Sequence, residues 1–169
     1  MRLIAAIALL LASQSLASES LSGDAARGAV VSKLRSGVSV AVVRVENKPG
    51  PDRSQGVGGY RILSHPTELS SQQVDQLATL FAQGELFRPH HPASACGFFP
   101  GFALRLGAEG SVGSVLLCFD CNEMQIIGLG DLGYESTCHV RAQLLQLLRE
   151  VLPTDPDLRR LDLEEECYF

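Results

Sequence analysis

Apolar and polar residues alternate with two different periods along this chain, and the places where the period changes divide it into elements. Residues 38–46 (VSVAVVRVE) carry β-branched side chains on both faces, the pattern of a largely buried strand. The NKPGPDRSQGVGG that follows is turn chemistry, with Pro49 and Pro51 blocking continuation, and a shorter second strand is expected at 60–64 (YRILS). Over 69–83 the period lengthens. Val74, Leu77, Ala78 and Phe81 fall at i, i+3, i+4 and i+7, which predicts an amphipathic helix ended by Gly84. Its start is marked twice, by Ser70 and Gln73 as a capping box and by Leu69 and Val74 as a hydrophobic staple.

A hairpin is expected next. With residues 108–111 as its loop, Gly107 faces Val112, and Phe102, Leu104 and Leu106 lie opposite Leu117, Val115 and Gly113, with Phe119 continuing the row. The other face holds Ala103, Arg105, Ser114 and Leu116 and is more mixed. A one-residue slip would exchange the two faces, so this one-sided apolarity fixes the register. A third strand at 123–129 follows the turn signal Asp120–Asn122. After GLGDLG, Ser136 or Thr137 is expected to cap a helix reaching Leu152, with a stripe of Leu144, Leu145, Leu148, Val151 and Leu152 and a stop at Pro153. Asp155 and Pro156 begin a short terminal turn of helix, and the chain closes on an acidic EEECYF. A helix over 24–34 is only weakly patterned. The order β-β-α-β-β-β-α predicts an α+β fold, an antiparallel sheet of about five strands with helices packed on one face.

The first residues change the picture of where this domain works. Met1 and Arg2 are followed by an apolar LIAAIALLLA and a polar SQSLA with small residues at Ser15 and Ala17, the pattern of a secretory signal peptide cut after Ala17. The apolar run is near half of the roughly 20 residues a bilayer span needs, so no stable membrane span is expected after cleavage. Residues 1–17 are thus read as a signal peptide, 18–169 as a single α+β domain, and the location as periplasmic or secreted. The formal net charge is −5 with no basic cluster, which argues against nucleic acid, because phosphate backbones are held mainly by Lys and Arg. Trp is absent and Tyr occurs three times, so an aromatic sugar-binding platform lacks material.

Five cysteines supply the remaining candidate chemistry. Extending the hairpin register sets Cys121 opposite Phe98 and Cys118 opposite Gly101, which brings Cys96 toward the same end of the sheet. Outside the cytoplasm such thiols usually oxidise, and 96–118 and 96–121 are both acceptable pairings after a modest bend. Cys138 and Cys167 remain, and an odd total leaves at least one thiol free or bonded between chains. The C-x-x-C at Cys118–Cys121 follows a strand instead of opening a helix, so the dipole that activates thioredoxin-type thiols is missing. A metal-thiolate site, with zinc as the cofactor, would draw on Cys96, Cys118 and Cys121 with a fourth ligand from His139, Cys138, His90 or His91; zinc sites more often show two compact ligand pairs. Asn122 stands where covalent haem attachment needs His. His90 and His91 point opposite ways in an extended loop, His65 reads as a strand end, and Arg105 is a solvated strand arginine that could also recognise an anion. Asp120, Glu123, Asp131 and Glu135 read as solvated. No nucleophile elbow, H-E-x-x-H, phosphate loop or calcium loop occurs, so no catalytic constellation is recognised.

The residues Cys96, Phe98, Pro100, Ala103–Arg105 and Leu116–Asn122 resemble an uncharacterised family of small exported bacterial proteins with a C-x-F-x-P … C-F-x-C motif. The likeness spans about 60–161 and takes in the capped helix before the motif and the leucine-rich helix after it. It implies that Cys96, Cys118 and Cys121 act as a set; it implies no activity, substrate or cofactor, and Cys138 and Cys167 lie outside the motif. The expected function is a disulfide-stapled, non-enzymatic binding or structural domain with a protein or small-molecule partner in the envelope. The alternative is a metal-thiolate or thiol-redox protein working through the Cys96, Cys118 and Cys121 cluster.

Overall fold

Helices form where the apolar spacing is helical and strands where β-branched and aromatic residues alternate, as a computed structural model shows for residues 23–51, 56–89, 97–130 and 134–163. Residues 1–22, which include the expected signal peptide, and His90, His91, Cys96, Asp131 and the acidic tail with Cys167 lie outside the described residues. Helix α1 (Gly23–Arg35) leads into β1 (Val40–Arg44) and the short β2 (Thr67–Glu68), then α2 (Ser71–Ala82) and β3 (Arg88–Pro89). The strands β4 (Phe102–Leu106), β5 (Gly113–Cys118), β6 (Glu123–Ile127) and β7 (Tyr134–Ser136) follow in a meander, and α3 (Arg141–Val151) and α4 (Pro156–Arg160) complete the order.

All strand pairs are antiparallel, in the order β2-β1-β4-β5-β6-β7-β3. This is the α+β fold that the patterning predicts, with a sheet of seven strands where about five are expected. The hairpin register is the expected one, Phe102 opposite Leu117 and Leu106 opposite Gly113. On one sheet face Val42, Leu104, Val115, Leu117, Met124 and Ile126 meet buried residues of all four helices, among them Val30, Phe81, Leu145 and Leu158. Each such fully buried side chain contributes roughly 1.5–3 kcal/mol. The mixed face is not open. Ala103 and Leu116 are covered by Val57, Tyr60, Ile62 and Phe98, which come from irregular segments and not from helices.

Two expectations are corrected. Residues 60–64 do not form a strand: they make one isolated bridge, Val45 with Ile62, beyond the end of β1, because a tight turn bridging Val57 and Tyr60 folds the preceding segment over the sheet. Neither Ser136 nor Thr137 caps the last long helix. Ser136 ends β7, and Thr137 precedes a single 3-10 turn, Cys138–Val140, from which α3 starts without a side-chain cap. The weakly patterned N-terminal segment is helical, burying Ala26, Val30, Val31 and Leu34. At α2 the full capping box is present: Ser70 Oγ accepts from the Gln73 amide and Gln73 Oε1 accepts from the Ser70 amide.

Candidate functional site

The open end of the β4–β5 hairpin carries the described part of the cysteine motif, Cys118 and Cys121 with Phe98 and Gly101 beside them. Gly101 donates its amide to the Leu117 carbonyl, which holds the segment before β4 against the end of β5. Phe98 packs edge-on against Tyr60, with ring centroids 6.5 Å apart, and lies 4.8 Å from Tyr134. Cys118 closes β5 and is 1% exposed. Its thiol is free, and burial pushes its pKa up, only partly offset by hydrogen bonds from the backbone amides of Phe99 and Cys121. A buried, proton-retaining thiol is a poor nucleophile and a poor metal ligand. Cys121 lies at the surface of the turn, its Sγ 2.9 Å from the Gly97 carbonyl oxygen, one residue from the position the register predicts. Neither Cys121 nor Cys138 presents a titratable thiol, since both sulfurs are already engaged.

The motif's sequence hides the residue that holds this turn. Arg141, at the start of α3, occupies a position in line with Leu144, Leu145 and Leu148 and is 1% exposed. Its guanidinium donates to the Phe119 carbonyl, to Asn122 Oδ1 at 2.6 Å and, from Nε, to the Asp162 carbonyl at 3.0 Å. It also lies over the Phe119 ring, 5.7 Å from the centroid. One side chain thus ties the Asp120–Asn122 turn, in which Asn122 takes a positive φ of 53°, to α3 and to the segment leading into the tail. Its partners stand about 20 residues away in each direction, so no local pattern reveals them.

Beside the turn opens a cleft of about 470 Å³ between the end of β1, the 97–101 segment and α4. Leu63 and Phe99 stand at its mouth, 51% and 44% exposed, and Phe102 and Phe119 line it. Arg44 crosses it, donating to Asp155 Oδ2 at 2.9 Å and to Asp157, with its guanidinium 5.4 Å from the Phe102 centroid. Burial would lower the Arg44 pKa, but the two aspartates outweigh it and hold the guanidinium firmly charged. Among the described residues the lining has no hydroxyl, thiol, imidazole or amine; its polar groups are the Arg44 and Arg160 guanidiniums, the Asn47 amide and the carboxylates of Glu46, Asp120 and Asp157.

The remaining sequence candidates disperse. His65 and His139 are exposed at separate places, and among the described residues no three His, Cys, Asp or Glu side chains come together as a metal site. Asp120 is exposed, as expected, but Glu123 and Glu135 are buried, against expectation. Glu135 pairs with the equally buried Arg27 of α1, which also meets Asp24 and lies over the Phe87 ring. No protein-family model, curated protein or solved structure matches the chain.

Proposed function

We propose that this chain is an exported, non-catalytic domain held by two cysteine staples, which binds a protein or small-molecule partner of the envelope at the Leu63–Phe99 cleft. The observation that carries this reading is the state of the sulfurs: Cys118 is buried with its pKa raised, while Cys121 and Cys138 have no thiol to offer. The staples are Cys96–Cys121 and Cys138–Cys167. The contact of Cys121 Sγ with Gly97, the neighbour of Cys96, supports the first. For the second, Arg141, three residues after Cys138, holds the Asp162 carbonyl, and Cys167 follows five residues later, so an extended chain of about 3.3–3.6 Å per residue gives it a comparable reach. A sheet end fixed in this way keeps the aromatic mouth of the cleft in one geometry, which lowers the entropy a partner must overcome.

Intact and peptide mass spectrometry of chain recovered from the periplasm tests this reading. The expected result is a mature chain beginning at Ser18, with one free thiol at Cys118 that alkylates only after denaturation, two disulfides and no retained metal. A chain with all five thiols reduced, or one retaining zinc through native spray, overturns it and makes the hairpin cysteines the functional site.

A further inference from the structure

At the loop end of the same hairpin, away from the cysteines, a second and smaller cleft of about 270 Å³ opens on the outer sheet face. A cross-strand row builds its floor: Arg105 on β4 lies opposite Ser114 on β5, which lies opposite Ile127 on β6. Ser114 is 7% exposed and lines the cleft, yet its hydroxyl has no hydrogen-bond partner among the described residues. Arg105, partly buried beside it, likewise has neither an ion pair nor a hydrogen bond among them. An arginine fork and a hydroxyl that line one cleft and meet no acceptor among the described residues are an arrangement that an anion completes, since a guanidinium matches a carboxylate with two parallel hydrogen bonds.

Two glycines keep the place open. A Cβ on Gly110 would sit 3.2 Å from Arg105 Nε and 3.4 Å from Ser114 Oγ, so a side chain there would fill the space in front of both donors. Gly58 takes a φ of +59°, and a Cβ there would collide with Ile127. The remaining walls are apolar, from Val57, Val112 and Ile127. The site therefore offers a charged fork and a hydroxyl at one side and hydrocarbon at the other. It is smaller than the roughly 300–1,000 Å³ of a pocket for drug-sized ligands.

We infer that this cleft binds a carboxylate carrying a short apolar chain, with Arg105 gripping the two oxygens and Ser114 donating a further hydrogen bond. Phosphate fits less well, since its three or four hydrated oxygens would face Val57, Val112 and Ile127. The same chemistry is presented by a free short-chain acid and by the C-terminus of an apolar peptide.

Amide NMR spectra of the labelled mature chain, titrated with butyrate, butyramide, inorganic phosphate and an Ala-Val dipeptide with a free or amidated C-terminus, decide the matter. Saturable shifts at Gly110, Ser111, Gly113 and Ser114 are expected with butyrate and not with butyramide. A response to the free dipeptide that exceeds that to butyrate identifies a peptide end as the ligand, and the reverse identifies a free acid. Arg105→Gln should weaken binding at least tenfold with the spectrum otherwise unchanged, since the Arg105 side chain holds no hydrogen bond or ion pair among the described residues, and Ser114→Ala should weaken it severalfold. Arg105→Lys, which keeps the charge and loses the fork, should recover only part of the affinity. Equal responses to butyramide or to phosphate overturn the inference, as does butyrate binding that survives Arg105→Gln.

Discussion

Arg141 takes a place where the helical stripe would accept a leucine, and the consequence is that a turn far away in sequence depends on it. Arg141→Met keeps the buried bulk but leaves the Phe119 carbonyl and Asn122 Oδ1 without their donor. Each orphaned buried group costs roughly 1–3 kcal/mol, so urea unfolding should show a loss within a few kcal/mol, and Cys118 should become accessible to alkylation as the turn loosens. The Arg27–Glu135 pair behaves differently, because both groups are buried charges. Glu135→Gln leaves Arg27 with only the exposed Asp24 as a full countercharge, and removing one member of such a pair costs about 3–5 kcal/mol. Replacing both, as Arg27→Met with Glu135→Leu, should restore most of that loss in the same unfolding measurement, since a matched apolar pair needs no desolvation of charge.

At the scale of elements, the clearest device is the reciprocal cap at α2. Ser70→Ala removes the acceptor for the Gln73 amide and should cost about 1 kcal/mol, read as a lowered Tm with the sheet's spectral signature unchanged. This cap and the β4–β5 register were legible because both are written locally, in residues three or four apart or in a strict two-residue alternation about a short loop. The segment at 60–64 has the composition of a strand, but it follows the tight turn at 57–60 and makes a single isolated bridge, Ile62 with Val45, just beyond the end of β1. The 3-10 turn before α3 was equally hidden, since Ser136 and Thr137 look like caps and Ser136 is claimed by β7. Among the site residues, the place of Cys118 at the end of β5 could be read from register alone, and that of Cys121 to within one residue, at Gly97 instead of Phe98. Arg141, Glu123 and Glu135 could not, because a charged letter reads as solvent-facing until a partner is known, and the Arg27–Glu135 partners are separated by 108 positions. The one signal available was Arg141's spacing with the leucine stripe of its helix.

The whole molecule carries one titration in its stability that the free thiol dictates. In an unfolded chain a cysteine ionises at about pH 8.5, whereas burial keeps Cys118 protonated to higher pH in the fold. Between those two values the unfolded state has given up a proton that the folded state retains. The contribution is therefore complete below the unfolded value and is lost as pH rises through the window toward the folded one. Urea midpoints measured from pH 7 to pH 10 should fall with pH, and Cys118→Ala should flatten part of that fall. A last consequence lies in the two outermost strands. Both β2 and β3 are only two residues long, and β3 ends on Pro89, whose nitrogen has no hydrogen to donate. Long, flat borders are where one copy of a sheet protein templates the next into fibrils. Among the described residues each border offers a foreign strand a ladder only two residues long, which gives another copy of the sheet little to extend.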